Sequence, residues 1–369
     1  MDNFVVSARK YRPKGFDEVV GQHHITSTLK NAIENNHLAQ ALLFCGPRGV
    51  GKTTCARILA RLINNFEVEN MESSGSMNIY ELDAASNNSV EDVRNLIDQV
   101  RIPPQQGKYK VYIIDEVHML SNQAFNAFLK TLEEPPSYAI YILATTEKHK
   151  VIPTILSRCQ IYDFNRIQVS NIAEHLQDIA KREAIDAEEA ALHLIAQKAD
   201  GALRDALSIF DLIVTFSTDN KITYQAVIDN LHILDYDYYF KLTDSLYKEE
   251  IAKSLLIFDE ILKKGFDGQN FLNGLSAHLR DLLVCKDKST LVLLEVSDQV
   301  KNEYNEQAQQ ISTSFILTAL QIITQADQHY KSSKNQRLHV ELALMKLAKI
   351  NSAISLLESQ QETVKKKVS

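Results

Sequence analysis

The residues with the clearest chemical signature form a glycine-rich loop, Gly46-Pro47-Arg48-Gly49-Val50-Gly51-Lys52-Thr53. Its spacing, G-x-x-x-x-G-K-T, is typical of a phosphate-binding loop, in which backbone N–H groups surround the phosphate oxygens. The Lys52 ammonium has the reach for the β- and γ-phosphates, and the Thr53 hydroxyl, followed by Thr54, can bind Mg²⁺. A glycine turn before an ordinary helix is the alternative interpretation. The loop therefore predicts binding of a nucleoside triphosphate, with ATP and Mg²⁺ as the expected cofactors.

Two carboxylates, Asp115 and Glu116, follow the apolar run Val111-Tyr112-Ile113-Ile114. Such a run is typical of a strand buried on both faces of a parallel sheet, with its polar residues at the C-terminal edge. Downstream of a phosphate-binding loop, Asp115 is expected to hold Mg²⁺ and Glu116 to polarise the water that attacks the γ-phosphate. Without the loop, the pair could equally be a solvated acidic strand end. The combination predicts hydrolysis as well as binding.

Strands and helices must position these groups. The apolar run 41–45 predicts a strand before the loop, and Ile58, Leu59, Leu62 and Ile63 predict one face of a helix after it. Further strands are predicted at 79–82, 140–144 and 160–164. Strands that alternate with helices indicate an α/β fold with a parallel sheet covered on both faces.

Helical periodicity replaces the strand pattern from about Ser170 onward. Asp200-Gly201 is expected to end one helix, and another is expected to begin near Leu203. Residues 235–357 carry helical stripes, including Leu255 to Leu262 and Leu338 to Ile350, most of them expected in the core. The polar stretch 62–78 is expected to be an exposed loop, and 358–369 a frayed tail.

Composition narrows the class of protein. The chain has 369 residues, 45% of them hydrophobic, and can bury a large core. No apolar run approaches the roughly 20 residues that span a bilayer, so a cytoplasmic protein without membrane contact is expected. Its net charge of −7 argues against general nucleic-acid binding and leaves only a local DNA-binding surface. The four scattered cysteines predict neither disulfides nor a zinc site.

Several motifs together resemble the gamma/tau family of bacterial DNA polymerase III clamp-loader subunits, which are AAA+ ATPases. The resemblance covers nearly the whole chain, and the Ser-Arg-Cys motif is specific to clamp loaders. Besides the phosphate-binding loop, it rests on the segments Ala8 to Pro13, Val19 to Gln22, Leu82 to Ser86, Asp115 to Leu120, Phe128 to Pro136, Leu143 to Thr146, Ser157-Arg158-Cys159, Leu203 to Leu207 and Arg337 to Leu344.

The resemblance implies further catalytic roles. Thr145 or Thr146 would be the polar sensor that helps to place the attacking water. Arg158 would be an arginine finger that reaches the nucleotide of a neighbouring subunit. On residue type alone, Thr-Thr is a common strand end, and an arginine after a helix is usually a surface salt-bridge partner.

The resemblance also implies contacts to the nucleotide. Arg204 would contact it from a lid domain, although an arginine early in a helix can simply pair with Asp205 or a nearby Glu. The adenine pocket would be lined by Arg12, Pro13, Val19 and Val20, residues that could also form an ordinary core edge.

The implied architecture has three domains: an AAA+ nucleotide-binding α/β domain at 1–166, a small helical lid at 167–233 and an all-α oligomerisation collar at 234–369. The implied partners are delta- and delta-prime-type subunits, further copies of the chain, the sliding clamp and primer-template DNA. Ser89-Val90-Glu91-Asp92 has the spacing of a helix cap, beside which a DNA phosphate could bind. Segment 101–106 would lie on the clamp-facing side, although it could be an ordinary loop.

One departure concerns zinc. Members of the family commonly carry a four-cysteine zinc module after the first helix, whereas residues 62–78 contain no cysteine, so no zinc is expected. Two other classes of protein share part of this pattern. Asp115-Glu116-Val117-His118 also matches the D-E-x-H box of helicases, but no second sheet is predicted after Phe164. A scaffold that binds ATP without hydrolysing it would be expected to lack Glu116 or Arg158.

Overall fold

The computed structural model describes residues 5–65, 78–104, 107–217, 220–231, 234–294, 296 and 298–355. The predicted tail, 358–369, lies outside the described residues. The chain divides into two compact units, Met1–Ile222 and Thr223–Ser369. No helix in the described ranges combines the length and apolar character that crossing a membrane requires.

The first unit is built on a five-stranded parallel sheet. Its strands are β1 (Ala41–Cys45), β2 (Ile79–Asp83), β3 (Lys110–Asp115), β4 (Ala139–Thr145) and β5 (Gln160–Asp163), in the spatial order β2-β3-β4-β1-β5. All five predicted strands are confirmed, each within one residue at either end. Strands β1 and β4 are buried throughout, as expected of strands covered on both faces.

Nine helices accompany the described part of this unit. They are α1 (Ser7–Lys10), α2 (His23–Glu34), α3 (Lys52–Asn64), α4 (Val90–Val100), α5 (Asn122–Glu133), α6 (Pro153–Leu156), α7 (Val169–Arg182), α8 (Glu189–Lys198) and α9 (Leu203–Phe216). Alternate residues of β1 point to opposite faces of the sheet: Leu42 and Phe44 pack in one core with α2 and α3, and Leu43 and Cys45 in another with α4 and α5.

The prediction of an exposed loop at 62–78 is wrong at its start, where helix α3 continues. The helix continues to Asn64, and residues 66–77 of that stretch lie outside the described residues. Asn64 is buried, and its side-chain oxygen is satisfied by hydrogen bonds from the backbone N–H groups of Lys108, at 3.0 Å, and Tyr109, at 2.8 Å. The partners of Asn64 are distant in sequence, so the polarity of the local sequence did not predict its burial. Leu62, expected on the apolar face of the helix, is 43% exposed.

The junction between α8 and α9 is as predicted. Asp200 and Gly201 both have positive φ, 49° and 77°, which ends the helix. A Cβ at Gly201 would lie 2.6 Å from the Cβ of Arg166. Two strands of two residues each, β6 (Asp186–Ala187) and β7 (Lys221–Ile222), form a small parallel pair that the sequence did not predict, because two residues carry no periodicity.

The second unit is helical in its described residues. It contains α10 (Tyr224–Leu231), α11 (Tyr236–Tyr247), α12 (Ile251–Lys263), α13 (Gly268–Val284), α14 (Asp298–Gln310), α15 (Thr313–Tyr330) and α16 (Gln336–Leu347). The expected core residues Phe258, Ile261 and Leu344 are buried, whereas Leu338 and Leu342 are 46% and 47% exposed. The finer division into three domains, with boundaries at 166 and 233, stays a prediction.

Candidate active site

The glycine-rich loop lies where the strand order of the sheet reverses. Strand β1 runs between β4 and β5, and the loop connects its C-terminal end to α3. In open α/β sheets this switch point is the usual ligand site. Gly46 has φ 146°, and a Cβ there would overlap the carbonyl oxygen of Phe164, so the position requires glycine.

Lys52 is folded into this loop. Its ammonium donates hydrogen bonds to the carbonyl oxygens of Gly46 and Pro47, both at 2.7 Å, and the residue is only 6% exposed. Burial lowers the pKa of the Lys52 ammonium from its ordinary value, and the carboxylates of Glu116 and Asp115 oppose that shift. The ammonium is thus held within the loop by two backbone carbonyl oxygens, where it is available to a phosphate group.

Thr53 and Asp115 meet at the C-terminal edge of the sheet. The Thr53 hydroxyl donates a 2.6 Å hydrogen bond to Oδ2 of Asp115, although the residues are 62 positions apart. Hydroxyl and carboxylate oxygens are the hard ligands that Mg²⁺ prefers. The two oxygens that the sequence predicted as Mg²⁺ ligands therefore lie side by side, and their assignment to that ion stays a prediction.

Glu116 begins the turn after β3 in the left-handed conformation, with φ 49°. Its Oε2 accepts hydrogen bonds from the hydroxyl of Thr146, at 2.9 Å, and from the Thr146 backbone N–H, at 3.3 Å. Thr145 is fully buried, and its hydroxyl oxygen lies 3.0 Å from Nδ1 of His118. The two threonines thus have different partners, a distinction that the sequence left open.

One cleft in the first unit brings most of the predicted nucleotide-binding residues together. Its lining includes Arg12, Pro13, Val19 and Val20, the loop from Arg48 to Thr54, Asp115, Glu116 and Arg204. The predicted residues Gly46, Pro47, Thr145, Thr146 and Arg158 are not among its lining. Five further lining residues were not predicted: Ala8, Tyr11, Ile167, Leu203 and Leu207. Ala8, Tyr11, Leu203 and Leu207 lie in segments that carry the AAA+ resemblance, which could have suggested them, whereas Ile167 lies outside those segments and had no sequence signal.

Three long-range hydrogen bonds fix the N-terminal segment beside the cleft. The Ser7 backbone N–H donates to Oδ2 of Asp211, at 2.7 Å, which fixes the N-terminal segment against α9. The side chains of Lys10 and Tyr11 both donate to Oε1 of Glu183, at the end of α7. Such contacts span more than 170 positions and leave no local signal in the sequence.

Arg158 has partners of its own, away from the cleft lining. Its guanidinium forms a 2.6 Å ion pair with Glu133 and donates a 2.8 Å hydrogen bond to the carbonyl oxygen of Thr154. This is the surface salt bridge that residue type alone indicated. Arg204 differs, because it is one of the residues that line the cleft and its backbone N–H approaches the Gly49 carbonyl oxygen at 3.4 Å.

The predicted cap at the start of α4 is confirmed. The Ser89 hydroxyl accepts from the Asp92 backbone N–H, and the Asp92 carboxylate accepts from the Ser89 backbone N–H, both at 3.2 Å. This reciprocal pair satisfies two free N–H groups of the helix. In the segment after α4, Ile102 is 57% exposed, and residues 105–106 lie outside the described residues.

Three family models match successive parts of the chain. Residues 21–168 match the model described as DNA polymerase III, delta subunit. Residues 171–219 match the DNA polymerase III clamp loader subunit, ATPase lid domain, and residues 222–363 match DNA polymerase III subunits gamma and tau domain III.

Individual relatives agree with these models. The chain is 38% identical to DNA polymerase III subunit tau of Bacillus subtilis, over 92% of the chain and 62% of that relative. It is 31% identical to DNA polymerase III subunit gamma of Buchnera aphidicola, over 94% of the chain and 99% of that relative. The chain thus spans less than two thirds of the Bacillus protein. A solved structure of Thermotoga maritima RuvB is 21% identical, with a TM-score of 0.48, over 64% of the chain and 79% of RuvB.

Proposed function

Because the chain belongs to the family of DNA polymerase III gamma and tau subunits, we propose that it is an ATPase subunit of a clamp loader. In this proposal, ATP binding and hydrolysis drive the loading of the sliding clamp onto primer-template DNA during replication. The observation that carries it is the cleft in which a phosphate-binding loop faces Asp115 and Glu116. A helicase is less well supported, because β6 and β7, the only strands described after Phe164, form no second nucleotide-binding sheet.

The cofactors would be ATP and Mg²⁺. Lys52 and the backbone of the loop would bind the phosphates, and Thr53 and Asp115 would supply oxygen ligands to Mg²⁺. The ion would neutralise negative charge on the phosphate oxygens. Arg12, Pro13, Val19 and Val20 would line the adenine pocket, and Arg204 would contact the nucleotide from α9.

Glu116 would act as the general base. Phosphoryl transfer to water needs a group that accepts a proton from the attacking water and orients it. Thr146 donates two hydrogen bonds to one carboxylate oxygen and is therefore better suited than Thr145 to set the position of this base. Thr145 would act indirectly, through His118.

Arg158 would complete the site of a neighbouring subunit. Its absence from the cleft lining of its own chain and its exchangeable surface pair with Glu133 support a role in trans. The proposed partners are delta- and delta-prime-type subunits, further copies of this chain, the clamp and primer-template DNA. The second unit would provide the collar through which subunits assemble.

The deciding experiment compares Glu116→Gln with Lys52→Ala in the complex reconstituted with clamp and DNA. Glu116→Gln is expected to bind ATP normally and to lose roughly 10²-fold or more in hydrolysis, because only the base is removed. Lys52→Ala is expected to weaken ATP binding itself, since the phosphates lose their principal cation. Comparable turnover in Glu116→Gln, or unchanged affinity in Lys52→Ala, would reject these roles.

A further inference from the structure

His118 lies behind Glu116 and is almost completely enclosed. It belongs to the short 3-10 helix Val117–Met119, which follows Glu116 directly, and its side chain is 8% exposed. Its Nδ1 atom is 3.4 Å from Oε2 of Glu116 and 3.0 Å from the hydroxyl oxygen of Thr145. The same nitrogen therefore faces both a candidate base and a residue of the neighbouring strand.

The hydrogen bonds to Glu116 are unevenly distributed between its two oxygens. Oε2 accepts from the hydroxyl and the backbone N–H of Thr146 and faces Nδ1 of His118. Among the described residues, no hydrogen bond reaches Oε1. A carboxylate held by one oxygen keeps the lone pairs of the other available to a water molecule. The arrangement restrains the rotation of the carboxylate without occupying its second oxygen.

We infer that His118 is a positioning residue for Glu116 in ATP hydrolysis. In the tautomer that carries its proton at Nδ1, this N–H faces both Oε2 of Glu116 and the Thr145 hydroxyl oxygen, and so ties the base to the end of β4. The Thr145 hydroxyl oxygen is itself fixed, because it accepts a 3.0 Å hydrogen bond from the Glu147 backbone N–H. Thr145 thus supports His118, and His118 and Thr146 together hold the carboxylate.

The alternative is a histidine that only fills space at the end of the sheet. Filling space would depend on the size of the His118 ring, whereas positioning Glu116 depends on a hydrogen-bond donor at Nδ1. Asparagine and alanine separate the two requirements, because the asparagine amide N–H can take the place of Nδ1–H while both variants remove the ring. His149 is a matched control, since its side chain is 78% exposed and its Nε2 lies 3.9 Å from Glu147.

The test measures kcat and ATP affinity in the complex reconstituted with clamp and DNA. His118→Ala is expected to lower kcat roughly 10- to 100-fold, the scale of a misplaced catalytic group, with ATP affinity changed less than about twofold. His118→Asn is expected to recover most of the lost rate, and His149→Ala to match the wild type. The loss of kcat in His118→Ala is expected not to exceed the loss in Glu116→Gln, because His118 acts only through the Glu116 carboxylate.

Three outcomes would overturn the inference: an unchanged kcat in His118→Ala, equal losses in His118→Ala and His118→Asn, or parallel losses of kcat and affinity. The inference rests on the proposed ATPase function. If the wild type neither binds nor hydrolyses ATP, the proposed function itself fails. If the wild type is active, Glu116→Gln is inactive and His118→Ala is normal, only the role of His118 fails.

Discussion

Arg158 does not line the cleft, and its partners lie on its own surface. Its guanidinium is paired with Glu133 and with the Thr154 carbonyl oxygen. Exposed pairs of this kind contribute little to stability, about 0 to 1 kcal/mol. In the proposed role in trans, the cation would therefore exchange this partner for the phosphates of a neighbouring subunit at small cost.

A mixed-complex experiment tests that exchange. Arg158→Ala protein should still bind ATP, because its own loop is intact, while its neighbour loses roughly 10³-fold or more in rate. Mixing Arg158→Ala with Lys52→Ala should restore some hydrolysis, at interfaces where an intact loop meets an intact arginine. The measurement is clamp- and DNA-stimulated ATPase activity.

Glu133→Ala is the matched control, since it frees Arg158 without removing it, and it should keep the wild-type rate. Mixed complexes that assemble but stay at the single-mutant baselines would argue that Arg158 does not act in trans.

At the scale of elements, the turn from β1 into α3 depends on glycines for two different reasons. Gly46, with φ 146°, abuts the backbone of Phe164, where a side chain would overlap the carbonyl oxygen. Gly51, with φ 104°, has open space where a Cβ would lie, with no neighbouring atom within 4 Å, so only its backbone conformation is demanding. Strain from such a φ costs roughly 1 to 3 kcal/mol.

Gly46→Ala and Gly51→Ala should therefore differ. Gly51→Ala is expected to carry the backbone strain alone, whereas Gly46→Ala adds a clash that must displace β1 or the segment after β5. We expect Gly46→Ala to lower both the unfolding midpoint and the ATP affinity more than Gly51→Ala does. Thermal unfolding and nucleotide titration measure the two effects, and equal behaviour of the variants would contradict the packing argument.

At the scale of the whole molecule, a buried histidine links stability to pH. His278 of α13 is 2% exposed, with Nδ1 3.0 Å from the Tyr304 hydroxyl and Nε2 3.1 Å from Oε1 of Gln307. Tyr239 and Phe240 pack against its ring. Burial lowers the pKa of His278 to about 3. The folded chain therefore keeps the ring neutral, while the unfolded chain binds a proton below about pH 6.5.

The sign of the effect follows from that difference. The contribution of His278 is fully present above about pH 6.5 and is lost as the pH falls towards the folded pKa of about 3, at about 1.4 kcal/mol per pH unit. Between about pH 6.5 and pH 5 the free energy of unfolding should fall by about 2 kcal/mol from this group. Urea unfolding followed by circular dichroism at several pH values measures it.

His278→Asn should be less stable near neutral pH, by roughly 1 to 3 kcal/mol, because a buried network is broken. It should also lose about 2 kcal/mol less on acidification, since the titrating ring is gone. His329→Gln, on the exposed side of α15, controls for removal of an imidazole and should keep the wild-type slope. An unchanged slope in His278→Asn would contradict the assignment.

Metal content is a second property of the whole molecule. Residues 62–78 contain no cysteine, and a structural zinc site needs four thiolate or imidazole ligands in suitable spacing. Purified protein is therefore expected to contain no stoichiometric zinc. Elemental analysis after dialysis measures this, and one zinc per chain would show the prediction to be wrong.

The sequence by itself determined the parts of the protein that depend on local patterns. Five strands were predicted within one residue. Strands β1, β3 and β4 are almost continuous apolar runs because they are buried in the sheet, whereas β2 and β5 are more exposed and were predicted from shorter runs that mix apolar and polar residues. The phosphate-binding loop and the two carboxylates were predicted because their chemistry requires particular residue types at particular spacings. Their meeting, seen in the 2.6 Å hydrogen bond from Thr53 to Asp115, followed from the rule that parallel strands end at the same edge of a sheet.

Only the tertiary structure decided which distant side chains contact one another. It separated Thr146, bonded to Glu116, from Thr145, which faces His118, and it buried Asn64 where local polarity indicated an exposed loop. It also paired Arg158 with Glu133. These outcomes depend on side chains that come from different elements, and the identity of a residue does not specify which neighbour the packed sheet and helices will bring to it.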